Sequence, residues 1–118
     1  MKPTGWLAGF IAAAWSVAAA AGEADVIGAE ATALGGDQYR VSATIRHADE
    51  GWDHYADKFE VRTPDGALLG TRTLFHPHVD EQPFTRSTTV AVPAGVASIV
   101  VRAGDSRHEF GGAEVEIA

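Results

Sequence analysis

The sequence predicts a small all-β protein: a seven-stranded antiparallel sandwich of immunoglobulin or fibronectin III type, with Greek-key connections, behind an N-terminal signal peptide. Three observations predict it. Beyond residue 24 the apolar residues recur with period two, as on strands that bury one face. Turn-forming residues return every eight to ten positions. No later stretch carries the 3.6-residue period of a helix.

The first element is Met1 to Ala21. One cation, Lys2, precedes an uncharged, alanine-rich apolar run that ends in small residues, the pattern of a secretory signal peptide. The cut falls after Ala21 or, at the latest, after Ala24, and the sandwich domain occupies 25–118. A retained anchor is the competing reading, but the run is alanine-rich and has no basic stop-transfer cluster behind it. The destination is the periplasm or the exterior.

Strand one spans Asp25 to Leu34, with its alanines and Ile27 on one face, and Gly35-Gly-Asp37 makes a hairpin turn. In strand two, Tyr39, Val41, Ala43 and Ile45 alternate with Arg40, Ser42, Thr44 and Arg46. Residues 48–57 form an irregular loop. Strand three, Lys58 to Thr63, buries Phe59 and Val61. Pro64-Asp-Gly66 turns the chain, Pro presetting φ and Gly supplying φ > 0. Strand four runs from Leu68 to Phe75 with leucines on both parities. After the loop 76–86, strand five (Ser87 to Val92) buries Val90 and Val92, and Pro93-Ala-Gly95 turns again. Strand six, Ser98 to Ala103, is apolar on both faces and so belongs in the middle of a sheet. Gly104 to Gly112 is a third long loop, and Ala113, Val115 and Ile117 line the last strand.

Composition narrows the function. A formal net charge of −7 argues against a nucleic-acid surface, which needs clustered Lys and Arg. There is no cysteine, hence no disulfide to staple a small exported domain and no thiol for a lipid at the cleavage site. It must hold together on its apolar core, alone or with help from a metal or a partner. Met1 is the only methionine, so soft Cu(I) and blue-copper sites are excluded, and any metal site would be histidine and carboxylate.

Strand alternation then assigns the connections to two ends. The tight Pro-Gly turns share one end. The loops 48–57, 76–86 and 104–112 share the other, and all five histidines lie in or beside them. Pro77 pushes His76 towards extended geometry, so His76 and His78 point to one side. With His54 and His108 they form a candidate site for a divalent metal, Zn²⁺ or Cu²⁺. His47, Trp52, Asp53, Tyr55, Asp57, Asp80, Glu81, Arg86 and Glu109 are candidates for supporting residues or for a partner-facing surface.

Plainer roles compete. His47 caps the core, Trp52 and Tyr55 plug its top, and Arg86 pins its loop to Glu81 or Asp57. The whole loop surface could instead dock a periplasmic protein, with histidines making binding pH-sensitive. No catalytic residue is nominated: Asp105, Ser106 and His108 on one short loop do not make a triad, and adjacent Asp80 and Glu81 diverge when extended.

The segments Trp52-Asp-His-Tyr-Ala-Asp57, His76-Pro-His-Val-Asp-Glu-Gln-Pro-Phe-Thr-Arg86 and Arg102-Ala-Gly-Asp-Ser-Arg-His108 resemble a group of small exported bacterial β-sandwich proteins. That resemblance covers nearly all of the chain after the signal. It implies a periplasmic or secreted home and brings no activity with it.

Overall fold

A computed structural model describes residues 22–118; the signal peptide expected over 1–21 lies outside the described residues. Eight antiparallel strands make two sheets, and no helix is present among the described residues. They are β1 (Asp25–Gly35), β2 (Gln38–Arg46), β3 (Ala56–Arg62), β4 (Leu68–Thr73), β5 (Phe84–Ala91), β6 (Ile99–Asp105), β7 (Glu109–Phe110) and β8 (Val115–Ile117). One sheet has the order β1-β2-β5. The other has the order β4-β3-β6, with β7 and β8 both on the far side of β6.

Alternation along the strands makes the core. Val41, Ala43 and Ile45 of β2 face Phe59 and Val61 of β3 and Val101 and Ala103 of β6, all fully or nearly fully buried. Strand β6 is central, as its apolar run requires, between β3 and the β7/β8 edge. The outer face of β3 and β6 is held by charge. Glu60 Oε1 accepts from Arg62 Nε at 2.7 Å and from Arg102 Nε at 3.0 Å, and the Arg102 guanidinium lies 3.9 Å from the Phe110 ring centre.

Four expectations need correcting. The third long loop contains the short strand β7, so the described residues hold eight strands where the pattern suggested seven. Strand β5 begins at Phe84, because Ile45 pairs with Phe84 and Thr44 with Thr85, which shortens the histidine loop. On β1 the core residue is Val26, not Ile27, since a register shift between Val26 and Gly28 changes which side chains face inward. From Glu30 onward both faces of β1 are exposed, so most of its alanines line no core.

The packed body also takes in residues before Asp25. Ala24 belongs to the core, Val26 N donates to Ala113 O at 2.9 Å, and Asp25 Oδ1 accepts from Ala113 N at 2.8 Å. Gly112 permits this contact: a Cβ there would lie 2.1 Å from Ala24 O. The amino-terminal segment is thereby fastened along residues 111–113.

Candidate metal centre

Three chain segments converge at one end of the sandwich. The end of β2 supplies His47, the residue pair before β3 supplies His54, and the last residue of β6 supplies Asp105. Strands β3 and β6 are neighbours with Ala56 opposite Asp105, so His54 and Asp105 arrive side by side. The β2 segment comes from the other sheet, and the cluster therefore bridges the two layers.

The ring nitrogens and oxygens lie close together. His47 Nε2 is 2.9 Å from Gly22 O and 3.0 Å from Asp105 Oδ2. His54 Nε2 is 3.0 Å from Gly22 O, 3.2 Å from Asp105 Oδ2 and 3.2 Å from His108 Nδ1. His108 Nδ1 is in turn 3.0 Å from Asp105 Oδ2. His47, His54 and Asp105 are all buried, and their donor atoms could hold a metal ion.

Each of these side chains is oriented from behind. His47 Nδ1 donates to Asp49 Oδ1 at 2.5 Å, and His54 Nδ1 donates to Glu50 Oε1 at 3.2 Å. Both rings thus turn their Nε2 atoms towards the same point, the arrangement that carboxylates impose on metal-binding imidazoles. The turn Glu50–His54 is closed by Glu50 N to His54 O at 2.8 Å and His54 N to Gly51 O at 3.2 Å. Asp105 Oδ1 accepts the backbone N–H groups of Arg107 and His108. This Asx turn fixes the carboxylate and leaves Oδ2 for the cluster.

The electrostatics follow from that geometry. Burial opposes the ionisation of Asp105, but the His108 backbone and ring, the Arg107 N–H and His54 outweigh it and bring its pKa to about 2. Burial likewise opposes a charge on His47. The bond to Asp49, the Gly22 carbonyl and the charges of Asp49 and Asp105 prevail and raise its pKa. For Asp49, burial is outweighed by the bonds from His47, His78 N and Ala56 N, and its pKa is lowered. A carbonyl oxygen can only accept, and each ring nitrogen carries at most one hydrogen. With both Nδ1 atoms already donating, whatever occupies the convergence point must be positive: ring protons or a cation.

Gly22 fits this place for a steric reason. Its φ is +92°, and a Cβ would lie 2.9 Å from His108 Cε1. Only glycine offers its carbonyl there without strain.

The expected ligand set is redistributed. His54 and His108 come together, but with His47 and Asp105 rather than with His76 and His78. The His78 ring stacks on Phe84 at 3.9 Å and 12°, and both its nitrogens are buried without a hydrogen-bond partner. Burial, with the charges of Arg86 and His76, lowers its pKa. His76 is exposed, its ring 4.7 Å from that of His78, and its Nδ1 donates to Pro77 O at 3.1 Å. The histidine-proline loop instead supports the cluster from outside. Its His78 N–H donates to Asp49 Oδ2 at 2.6 Å, and Gln82 joins His47 N (3.0 Å) to His78 O (2.9 Å).

The remaining candidates lie around this centre. Trp52 does not plug the core: it is 68% exposed and packs edge-on against Tyr55 at 5.6 Å. Tyr55 N donates to Ser106 Oγ, while Asp53 O accepts from Arg107 Nε, which ties the first loop to the third. Asp57 pairs with Lys58 at 3.1 Å, and Arg86 pairs with Glu81 at 3.1 Å. Asp80 and Glu109 are exposed, Glu109 with a φ of 57°. Sequence reasoning placed His47 and Asp105 at this end without nominating either as a ligand. It passed over the Gly22 carbonyl, for which a backbone atom gives no sequence signal.

No family model matches the chain, and no solved structure matches it. A search of curated proteins found a relative from Halomicrobium mukohataei named "Putative lipoprotein", 43% identical over 90 residues. The match covers 76% of this chain and 44% of that protein, so the chain spans less than half the length of its relative.

Proposed function

We propose that this is an exported β-sandwich protein that binds one divalent metal ion through His47, His54, Asp105, His108 and the Gly22 carbonyl. The observation that carries the reading is the convergence of two Nε2 atoms, each with its Nδ1 held by a carboxylate, on a buried carboxylate oxygen. Six pairs of these donor atoms stand 2.9–3.2 Å apart, close enough for bonds of about 2.0–2.1 Å to one shared ion. Nitrogen and oxygen donors without sulfur suit the borderline ions Cu²⁺ and Zn²⁺.

Export is supported by the signal-like segment 1–21 and by the name of the relative, "Putative lipoprotein". No helix among the described residues is long and apolar enough to cross a membrane. The strand orders β1-β2-β5 and β4-β3-β6-β7 suit the expected immunoglobulin or fibronectin III-like Greek key. Metal handling, not turnover, is the role.

A protein-docking module is the second reading. Trp52, Phe75 and Val79 are exposed on the first two loops, 68%, 74% and 55% respectively. Calorimetric titration with Cu²⁺ and Zn²⁺ separates the two. The metal reading expects a stoichiometry of about one and a raised melting temperature through linkage. Absence of binding, with no change in the melt, leaves only the docking module.

A further inference from the structure

The chain enters its packed body through the candidate metal centre itself. We infer that removal of residues 1–21 completes that centre, because it delivers the α-amino nitrogen of Gly22 to the ion that its own carbonyl oxygen faces. The inference rests on the metal-binding reading above and specifies how the site becomes competent.

Covalent geometry does most of the work. Gly22 O lies 2.9 Å from His47 Nε2 and 3.0 Å from His54 Nε2. The nitrogen of a residue is separated from its own carbonyl oxygen by Cα and C alone, hence by roughly 2.7–3.6 Å. An amine and carbonyl on one residue close a five-membered chelate ring when they lie on the same side of the Cα–C bond, a rotation that glycine permits. In the uncut chain the Gly22 nitrogen is an amide whose lone pair is delocalised into the carbonyl of Ala21, so it is no donor. Hydrolysis of the Ala21–Gly22 bond consumes one water and leaves Ala21 a carboxylate and Gly22 an ammonium group. The ammonium releases one proton to solvent as it ligates.

The packing selects this bond over the later one. A cut after Ala24 would discard a core residue and the Gly22 carbonyl together. It would also put the new terminus at Asp25, whose side chain is already bound to Ala113 N. A cut after Ala21 preserves every one of these contacts and starts the mature chain at a glycine that the site sterically demands. The precursor would carry the imidazoles and carboxylate but lack the amine, so full affinity would arise only after export.

The test exports the full chain from a bacterial host and reads the mature amino terminus by intact mass. Metal-stripped mature protein is then titrated with Cu²⁺, beside a form in which residues 1–21 are replaced by a short polar extension. The expected results are a terminus at Gly22 and Cu²⁺ binding on the order of 10²-fold weaker in the extended form, as when a tethered second donor is lost. The copper electron-resonance spectrum should also show one nitrogen fewer in that form. Equal metal-free melts establish that both forms are folded. Should the extended form not fold, acetylation of mature Lys58→Arg protein, which leaves the terminus as its one amine, gives the same comparison.

A terminus at Asp25, or equal affinity and equal nitrogen count in both forms, overturns the inference while leaving a metal site standing. Failure of both forms to bind copper overturns the metal reading and the inference with it.

Discussion

Replacing Asp49 by Asn keeps the shape of a side chain and removes its charge at the point where three segments meet. Oδ1 accepts from His47 Nδ1 at 2.5 Å and from Ala56 N at 3.1 Å, and Oδ2 accepts from His78 N at 2.6 Å. Asparagine has one acceptor oxygen and one NH₂, so in either orientation at least one of these donors faces another donor. Losing a buried charge-assisted bond costs about 1.5–3 kcal/mol, and stranding its donor adds about 1–3 kcal/mol. We expect a destabilisation of roughly 3–4 kcal/mol. For a domain of about a hundred residues that corresponds to a fall of roughly 12–30 °C in Tm. The same change frees the His47 ring to turn, so affinity for Cu²⁺ should drop by about 10–100-fold. Differential scanning calorimetry of the stripped protein reads the first effect, and titration calorimetry the second. A stripped Asp49→Asn protein that melts within about 3 °C of the parent would refute the reasoning, because no intact network loses its shared acceptor so cheaply.

Three further outcomes follow from the same geometry. His47→Ala or His54→Ala should abolish metal retention after dialysis, whereas His76→Ala should leave it intact; retention measured by elemental analysis decides, and loss in His76→Ala would restore the histidine-proline loop as a ligand. His78→Phe should leave Tm unchanged or raise it, by up to about 1 kcal/mol of stability, since it replaces two buried nitrogens that make no hydrogen bond on the face of Phe84 with carbon; a loss above about 2 kcal/mol would show that the imidazole draws on the Asp49 carboxylate, 3.9 Å from its Nδ1. For Glu60, burial opposes ionisation, but the bonds and charges of Arg62 and Arg102 outweigh it and lower its pKa. A depressed carboxylate pKa contributes stability above the unfolded value near 4.5 and loses it as pH falls through the folded one. Glu60→Gln should therefore be less stable than the parent at pH 7 by about 1–3 kcal/mol, and the gap should close on acidification below the ordinary carboxylate range; a gap independent of pH would contradict the ion-pair account.

Residue patterns made the strand framework legible because burial on a sheet has a period that the sequence must carry. Phe59, Val61, Val41 and Ile45 declare their face by alternation alone. The exceptions have local causes. The register shift beside Gly28 defeated the facing expected for Ile27, and two-residue β7 is too short to leave any period. Trp52 departs from the general tendency of a large aromatic to be buried, because its loop projects it beyond the core.

The candidate centre divides along the same line. The sequence by itself determined which end of the sandwich carries the histidines, since strand alternation sorts loops without reference to distance. It also determined the chemistry available there, nitrogen and oxygen donors without sulfur. Only the tertiary structure decided which histidines share a point. His76 and His78 look paired because they are two residues apart, yet stacking on Phe84 and the bond from His78 N to Asp49 turn that loop into a support. His47, Asp105 and Gly22 meet because β2 belongs to one sheet, β6 to the other, and the amino-terminal segment is fastened along residues 111–113. Contacts between residues so far apart along the chain leave no local period to read, and a backbone carbonyl leaves no side-chain signature at all.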